Sequence, residues 1–231
     1  MIVFFDLDGT LLDDDAAQRA GALALLQEHR AVFDLPDDAF VRQWKDLAAT
    51  HWRRYEQGEV TFEEQRRARV LDAFGAAGQA LSVADADDLF GVYVRQYERN
   101  WGLFPDVRLC LDVLAGRPLG IISNGDPIQQ RKKLERTGVL QRFATVIISG
   151  DLGVAKPDSA IFHEACRRVG RPTGECAYVG DRYLTDARAS ARAGLQGIWI
   201  DRAGARVARP AVDIDIIHTL GHLPRALGRH A

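Results

Sequence analysis

Cysteine is scarce in this chain of 231 residues, and its three cysteines lack the spacing of a metal or redox site. Cys110, Cys166 and Cys176 lie far apart and form no CxxC pair, so we expect them to be reduced and buried. No apolar run approaches the roughly 20 residues that span a bilayer. The N-terminus also lacks the basic region of a signal peptide. We therefore expect a cytoplasmic protein without a membrane segment.

A strong charge of one sign is also missing. The chain has 30 basic and 32 acidic residues and a formal net charge of −2. We therefore expect no nucleic-acid partner and no attraction to an anionic membrane. The hydrophobic content of 47% and the length allow one large domain or a core with a smaller inserted domain. Only four of the basic residues are lysines, so a lysine within a motif carries more weight.

The segment from residue 15 to about residue 100 has a helical pattern throughout. Apolar residues recur at steps of three and four in the stretches 16–29, 38–58, 62–78 and 85–100. Asp37 and Thr61 stand at the positions of helix N-caps. No stretch of this segment has the composition of a strand, so the sequence predicts an all-helical domain here.

After Leu103 the pattern changes to short apolar runs that alternate with amphipathic helices. Strands are predicted at 118–124, 144–150, 175–181 and 196–201, with a weaker one at 213–219. Helices are predicted at 107–115, 128–137, 160–169 and 185–193. Runs of Ile and Val between helices are typical of parallel strands that are covered on both faces. The opening run from Ile2 to Phe5 has the same composition and joins this sheet if the helical segment is an insertion.

This pattern predicts an α/β fold with a doubly wound, mostly parallel sheet and an inserted all-helical domain. The core would comprise residues 1–14 and 103–231, and the insertion would comprise residues 15–102. Sheets of this kind bind ligands at the carboxyl ends of their strands, so the residues at those ends are the candidates for a functional site.

Polar side chains follow four of the predicted strands. They are Asp6 and Asp8 after the first, Ser123 and Asn124 after the next, Lys156 beyond the third, and Asp181 and Asp186 at the fourth. Each alone could be a helix cap or a turn residue, but together they predict one convergent site. Three carboxylates around one point need a cation, and an all-oxygen set suits Mg²⁺. Because Mg²⁺ takes further ligands from substrate phosphate, the set predicts a phosphoryl-transfer site.

Four motifs in the chain resemble those of the haloacid dehalogenase (HAD) superfamily, in the same order. They are DLDGT at 6–10, SNG at 123–125, KPD at 156–158 and GDRYLTD at 180–186. The resemblance covers residues 1 to about 220 and implies a HAD Rossmann-like core, with the inserted helices as a C1 cap. The stretches 123–143 and 149–166 are similar to the branch that contains pyrimidine 5′-nucleotidases and N-acylneuraminate-9-phosphatase.

The resemblance implies a role for each residue of the motifs. Asp6 would be the nucleophile that receives the phosphoryl group, and Asp8 would be the general acid and base. The substrate phosphate would be held by Ser123, the amide of Asn124 and the neighbouring Gly125. Lys156 would neutralise charge on Asp6 and on the phosphoryl group.

The resemblance also implies how Mg²⁺ is held. Its ligands would be Asp6, the backbone carbonyl of Asp8, and Asp181. Asp186 would orient Lys156 or a metal-bound water, and Thr10 would support the site without binding the metal. Many relatives have a small serine where this chain has Arg182, and that side chain either points away from the site or touches the substrate.

The reaction implied is hydrolysis of a small phosphorylated metabolite. Family dehalogenases lack the second aspartate, here Asp8, and phosphonate hydrolases use a cap lysine for which Lys45 is the one candidate. A sugar-phosphate phosphatase and a phosphomutase remain alternatives, and a haloacid dehalogenase or a non-catalytic interaction protein is disfavoured. The pattern leaves open whether the protein is a monomer or a homodimer.

Substrate choice would lie in the helical insertion. Trp44, Trp52 and Tyr55 are either core residues of a helix bundle or a platform on which a nucleotide base stacks, and Lys45, Arg53 and Arg54 lie among them. Nucleoside monophosphates are the first candidates for the substrate. His218 and His222 have no third ligand nearby in the sequence, so they are predicted to be surface or packing residues.

Overall fold

The structure is a computed structural model that describes residues 1–204 and 214–228. The chain forms two compact units. One unit contains residues 1–13 and the described residues from Gly102 onward, and the other runs from Asp14 to Trp101. The helical insertion was expected at 15–102, so the observed segment and the expected one nearly coincide. Its role as a cap remains a prediction.

The unit from Asp14 to Trp101 consists of four helices: α1 Asp14–Glu28, α2 Asp37–Glu56, α3 Phe62–Ala76 and α4 Val83–Arg99. Thr61 caps α3 as predicted, since its side chain and that of Glu64 exchange hydrogen bonds with each other's backbone. The prediction for Asp37 is wrong. This residue is the first of α2, and the N-cap is Pro36, which has no side chain that accepts a hydrogen bond.

The aromatic residues of the helical unit divide into two groups. Trp44 is fully buried, and its ring centroid lies 4.9 Å from that of Tyr93. Trp52 and Tyr55 are half-buried and contact each other, with centroids 5.2 Å apart. Trp44 is therefore a core residue and has no exposed face for a base, whereas Trp52 and Tyr55 keep exposed surface.

The other unit contains a sheet of six parallel strands in the order β3-β2-β1-β4-β5-β6. The strands are β1 Ile2–Phe5, β2 Leu119–Ser123, β3 Thr145–Ile148, β4 Cys176–Gly180, β5 Gln196–Ile200 and β6 Asp215–Ile217. Residues of β1, β2 and β4 are buried throughout, which explains their continuous apolar sequences. The predicted α/β fold with a doubly wound parallel sheet is confirmed.

The remaining α-helices follow or separate these strands. They are α5 Val107–Val113, α6 Pro127–Arg136, α7 Ser149–Leu152, α8 Ser159–Arg168, α9 Arg188–Arg192 and α10 Leu223–Leu227. The helix predicted at 185–193 is different in the structure, because a π-helical turn over Tyr183–Ala187 precedes α9. Of the weak strand predicted at 213–219, residue 213 lies outside the described residues.

The register of the sheet brings β1 and β4 to an end side by side. Phe5 pairs with Val179, and the Asp6 N–H donates to the Val179 carbonyl at 2.8 Å. On its other side β1 pairs with β2, with Phe5 opposite Ile121. Asp6 therefore leaves the sheet at its centre, between the ends of β2 and β4.

The cysteines and the helices can be compared with the expectations of no disulfide and no membrane segment. Cys110, Cys166 and Cys176 are buried and form no disulfide, as expected. Among the helices in the described ranges, none has the length and apolar character that a membrane crossing requires.

Candidate active site

Lys156 is the centre of the polar cluster at the carboxyl edge of the sheet. Its ammonium donates to Asp6 Oδ1 at 2.7 Å, to Asp186 Oδ1 at 2.8 Å and to the Tyr178 hydroxyl at 2.6 Å. All three N–H groups of a lysine ammonium are thus accounted for. The Tyr178 hydroxyl extends this hydrogen-bond network, because it donates to the Ile122 carbonyl at 3.0 Å. The buried ammonium is fixed in position by these partners.

The charges in this cluster do not balance. One oxygen from each of Asp6, Asp181 and Asp186 lies within 4.8 Å of the others, and Lys156 is the cation that contacts two of these carboxylates. Three negative groups against one positive group would leave two excess negative charges, which is the charge that a divalent cation neutralises.

The pKa values reflect this excess. Burial raises the pKa of Asp6 well above its ordinary value; Lys156 opposes this shift, and Asp186 and Asp181 add to it. Burial, followed by the charge of Asp186, raises the pKa of Asp181 to about 6. Burial alone would lower the pKa of Lys156, but Asp186 and Asp6 outweigh it and raise that pKa above its usual value. The site therefore disfavours the charged forms of Asp6 and Asp181 and favours the charged form of Lys156.

The donor set fits a divalent metal ion. Among the described residues, none donates a hydrogen bond to the buried Asp181 Oδ1, so a cation is the natural partner for it. An all-carboxylate set is the type that Mg²⁺ prefers. Of the predicted ligands, the structure groups Asp6 with Asp181, whereas the Asp8 carboxylate lies outside this group and was predicted to contribute its backbone carbonyl instead.

Asp186 lies in the same group but already has hydrogen-bond partners on both oxygens. Its Oδ1 accepts from Lys156 and lies 3.2 Å from the Tyr178 hydroxyl, and its Oδ2 accepts from the Arg182 N–H at 2.9 Å. The contact with Lys156 matches one of the two roles that the resemblance implies for Asp186. The π-helical turn over Tyr183–Ala187 places Asp186 against the end of β4, where a Cβ on Gly180 would collide with it.

Asp8 lies in a second polar network with partners of its own. Its Oδ1 accepts from Lys133 Nζ at 2.7 Å, and its Oδ2 accepts from Gln130 Nε2 at 2.9 Å. Gln130 Nε2 also donates to Ser123 Oγ at 2.7 Å. The sequence analysis assigned no function to Lys133 or Gln130. Two features of the sequence could have indicated them. Lysine is rare in this chain, and the spacing of three residues between Gln130 and Lys133 places both on one face of α6.

The residues of the SNG motif connect the strand ends. Asn124 accepts from the Lys156 N–H at 2.8 Å and donates to the Lys156 carbonyl at 2.9 Å, so its amide brackets the backbone of that residue. The Gly125 N–H donates to Ser149 Oγ at 3.0 Å. Ser123 is buried and ends β2. The side chain of Asn124 thus has a structural task that is separate from the phosphate contact predicted for its backbone amide.

Three further positions within the motifs can be placed. Thr10 is fully buried, and its carbonyl accepts from Arg202 Nη2 at 2.8 Å. Gly9, with φ +81°, carries the turn after β1 past Asp181, and a Cβ there would overlap the Asp181 carboxylate. Arg182 is exposed, yet its charge opposes the rise in the pKa of Asp181, so it acts on the site electrostatically, and both alternatives for its side chain stay predictions.

His218 and His222 are not paired by a helix. His218 follows β6, and its Nδ1 lies 2.8 Å from the Asp201 carbonyl, whereas His222 ends a 3₁₀ turn that begins at Leu220. Within the described ranges the carboxylates of Asp6, Asp181 and Asp186 form the one cluster that could hold a metal ion.

Comparison with known proteins agrees with this fold. The family profile "haloacid dehalogenase-like hydrolase" matches residues 1–194. The chain belongs to this family of hydrolases, as the resemblance of its motifs predicts. The match includes all four motifs, since the last of them ends at Asp186.

The relatives include several phosphatases. A phosphoserine phosphatase from Thermus thermophilus is 30% identical, with 93% of this chain and 94% of the relative covered. The human N-acylneuraminate-9-phosphatase is 28% identical, with coverages of 87% and 83%. The pyrimidine 5′-nucleotidase YjjG of Escherichia coli is 26% identical, with 96% of each chain covered. The last two belong to the branch that the sequence resembles. The first two are named phosphatases, and the third is named a nucleotidase.

A solved structure confirms the fold independently of close sequence similarity. The HAD hydrolase YfnB from Bacillus subtilis, whose structure has magnesium bound, superposes with a TM-score of 0.81 at 24% identity. The match covers 98% of this chain and 97% of that one.

Proposed function

We propose that this protein is a Mg²⁺-dependent phosphatase that hydrolyses small phosphate monoesters through a phosphorylated Asp6. One observation carries the proposal: Asp6 and Asp8 are two residues apart yet have different partners. Asp6 lies with Lys156 and the carboxylate group, whereas Asp8 lies with Lys133 and Gln130. Two carboxylates in different environments can take different roles, one as nucleophile and the other as acid and base.

In the first step an Asp6 oxygen attacks the phosphorus of the substrate. A bond forms between Asp6 and phosphorus, the bond from phosphorus to the ester oxygen breaks, and that oxygen takes a proton from Asp8. In the second step water attacks the same phosphorus, gives a proton to Asp8 and displaces Asp6. Inorganic phosphate leaves, and both aspartates return to their starting forms.

The surrounding groups support these steps by position and charge. Lys156 stays within 2.7 Å of Asp6 and can balance negative charge as the phosphoryl group arrives. The hydroxyl of Ser123 and the amide of Asn124 are the proposed phosphate contacts. Asp6, Asp181 and the Asp8 carbonyl would hold Mg²⁺. A bound Mg²⁺ would neutralise the carboxylates and polarise the phosphoryl oxygens.

We assign the choice of substrate to the helical unit, because the core residues described above have chemistry for phosphate and a cation alone. The names of the relatives cover an amino-acid phosphate, a sugar-acid phosphate and nucleotides. Nucleoside monophosphates are the first candidates, since Trp52 and Tyr55 keep exposed aromatic surface on which a base could stack.

A panel of phosphate monoesters tests the proposal. The purified chain is incubated with Mg²⁺ and each ester, and inorganic phosphate is measured. Phosphate release that depends on Mg²⁺ and disappears in Asp6→Asn supports the proposal. Transfer of the phosphoryl group between sugar hydroxyls without release would identify a phosphomutase instead. No phosphate from any ester would overturn the proposal.

A further inference from the structure

Lys133 is a buried cation outside the group formed by Lys156 and the three carboxylates. Its side chain is 2% exposed, and its Nζ lies 2.7 Å from Asp8 Oδ1. An ammonium that leaves water must be compensated by a charged partner, and Asp8 supplies that charge. The Asp8 side chain is 29% exposed and therefore remains accessible while it is held. Such an arrangement fixes a reactive carboxylate without enclosing it.

Gln130 holds the other oxygen of the same carboxylate. Its Nε2 donates to Asp8 Oδ2 at 2.9 Å and to Ser123 Oγ at 2.7 Å, so one amide joins Asp8 to the end of β2. Gln130 is itself buried and packs against Gly125, where a Cβ would approach the Gln130 side chain to 3.0 Å. Since Lys133 and Gln130 both belong to α6, one rigid element fixes both oxygens of Asp8.

We propose that Lys133 is a positioning residue for Asp8, with Gln130 as the link that aligns Asp8 with Ser123. This inference rests on the proposed function, in which Asp8 gives a proton to the leaving oxygen. Proton transfer needs the carboxyl group at hydrogen-bond distance from that oxygen, so an Asp8 side chain free to rotate would be misaligned for much of the time. Lys133 and Gln130 remove that freedom on both sides of the carboxylate.

The consequence is a defect that depends on the leaving group. An alkyl phosphate has a poor leaving group and needs the proton from Asp8 when its ester bond breaks. p-Nitrophenyl phosphate has a good leaving group that departs with little help. kcat/KM covers the steps up to departure of the leaving group, so it isolates this difference from the later attack by water. General damage to the site would lower kcat/KM for both esters equally.

The test uses Lys133→Met, which keeps the length of the side chain and removes the charge, and Lys132→Met as the matched control. Lys132 is the neighbouring, exposed lysine on the same helix. We expect Lys133→Met to lower kcat/KM for an alkyl phosphate by about 10²-fold, the scale of a small misplacement of a reacting group, while p-nitrophenyl phosphate is nearly unaffected. Lys132→Met should match the wild type with both esters.

A second measurement keeps the test decisive if Lys133→Met folds poorly. The variants Asp8→Asn and Asp8→Asn/Lys133→Met are compared by the burst rate of p-nitrophenol, and the double variant removes both charges of the Asp8–Lys133 pair. If Lys133 acts through Asp8, the two burst rates should agree, because the group to be positioned has already been neutralised. A further loss in the double variant would mean that Lys133 acts on something else.

The outcomes separate this inference from the proposed function. An active wild type whose preference between the two esters is unchanged in Lys133→Met overturns the positioning role alone. A wild type that releases no phosphate from either ester overturns both.

Discussion

Lys156 and Asp186 form a buried ion pair, with Nζ 2.8 Å from Oδ1 and side chains that are 3% and 1% exposed. A pair this deeply buried depends on both partners, since removal of one leaves the other as an uncompensated charge. At this site the loss of the lysine is the more serious change, because three carboxylates would remain together. The ion pair therefore bears on stability as well as on chemistry.

We expect Lys156→Met to lower the free energy of unfolding by about 3–5 kcal/mol in the presence of a chelator. Mg²⁺ should restore part of this loss, because a divalent cation would replace the missing positive charge. Urea unfolding near neutral pH, with and without Mg²⁺, measures both effects. Lys132→Met, at an exposed position, should stay within about 0.5 kcal/mol of the wild type. Equal stability of the two variants would show that the buried pair contributes nothing.

Asp6→Asn should abolish turnover while the fold persists. An amide is a poor nucleophile, and loss of a group that forms the covalent intermediate typically costs about 10⁴-fold or more in kcat. Phosphate release measures the loss, and circular dichroism monitors the fold. Asp151→Asn is the matched control, because Asp151 is exposed and pairs with Arg131 on the surface. Comparable activity of Asp6→Asn and Asp151→Asn would remove Asp6 from the mechanism.

The raised pKa of Asp181, about 6, predicts how stability changes with pH in the metal-free protein. Between its ordinary value and about 6, the folded state binds the proton more tightly than the unfolded state does. The contribution of Asp181 to stability is therefore lost as the pH rises through this range. Asp6 acts in the same direction, since burial raises its pKa as well.

Asp181→Asn isolates this effect from the other carboxyl groups. In a chelator, the variant should gain stability relative to the wild type as the pH rises from 4.5 to 7, and the gain should level off above about pH 6, because only the wild type then carries the buried charge. Urea midpoints at each pH measure the difference. A difference that does not vary with pH would contradict the raised pKa. Mg²⁺ should stabilise the wild type more than the variant.

Activity should require Mg²⁺ and should be lost in excess chelator. The carboxylate group of Asp6, Asp181 and Asp186 repels a dianionic phosphate unless a cation is present. Ca²⁺ should inhibit, because its larger and looser coordination would misplace Asp6 relative to the phosphorus. Phosphate release after dialysis and stepwise addition of each cation measures these effects. Full activity in excess chelator would rule out the metal assignment.

Trp52→Ala should raise KM for a nucleoside monophosphate, by about 1–3 kcal/mol of lost stacking, and leave p-nitrophenyl phosphate nearly unchanged. Trp44→Ala is the contrasting variant. Trp44 is fully buried, so its truncation should lower the free energy of unfolding by about 3–5 kcal/mol without changing substrate preference. Equal losses on both substrates for Trp52→Ala would place Trp52 in the core as well, and a strong preference for a sugar phosphate would overturn the nucleotide assignment.

The sequence was informative wherever one local pattern determines the outcome. β1 reads as an unbroken apolar run because both faces of a central parallel strand are buried, and Asp6 follows it directly. Thr61 was identified as a cap from its position directly before a helical pattern, and in the structure Glu64 completes a capping box with it. Asp37 was misassigned because Pro36 and an acidic first turn allow the helix to start one residue earlier than the capping pattern suggests.

The second polar network was not predictable in the same way. Lys132 and Lys133 are adjacent and chemically identical, and the rotation of α6 about its axis decides which of them is buried. That rotation is set by tertiary packing, to which the sequence of α6 alone gives no access. The π-helical turn at Tyr183–Ala187 was missed for a similar reason, because no local sequence pattern marks its extra residue.

The glycines around the site have an evolutionary consequence. At Gly9 and Gly180 the first carbon of any side chain would collide with Asp181 or Asp186, and at Gly125 it would crowd the Gln130 side chain at 3.0 Å. Substitution is therefore blocked by one carboxylate each at Gly9 and Gly180, and at Gly125 the tight contact and the φ of +152° make it costly. Directed evolution toward a new phosphate ester should accordingly accumulate substitutions among residues 14–101 and leave the three glycines untouched.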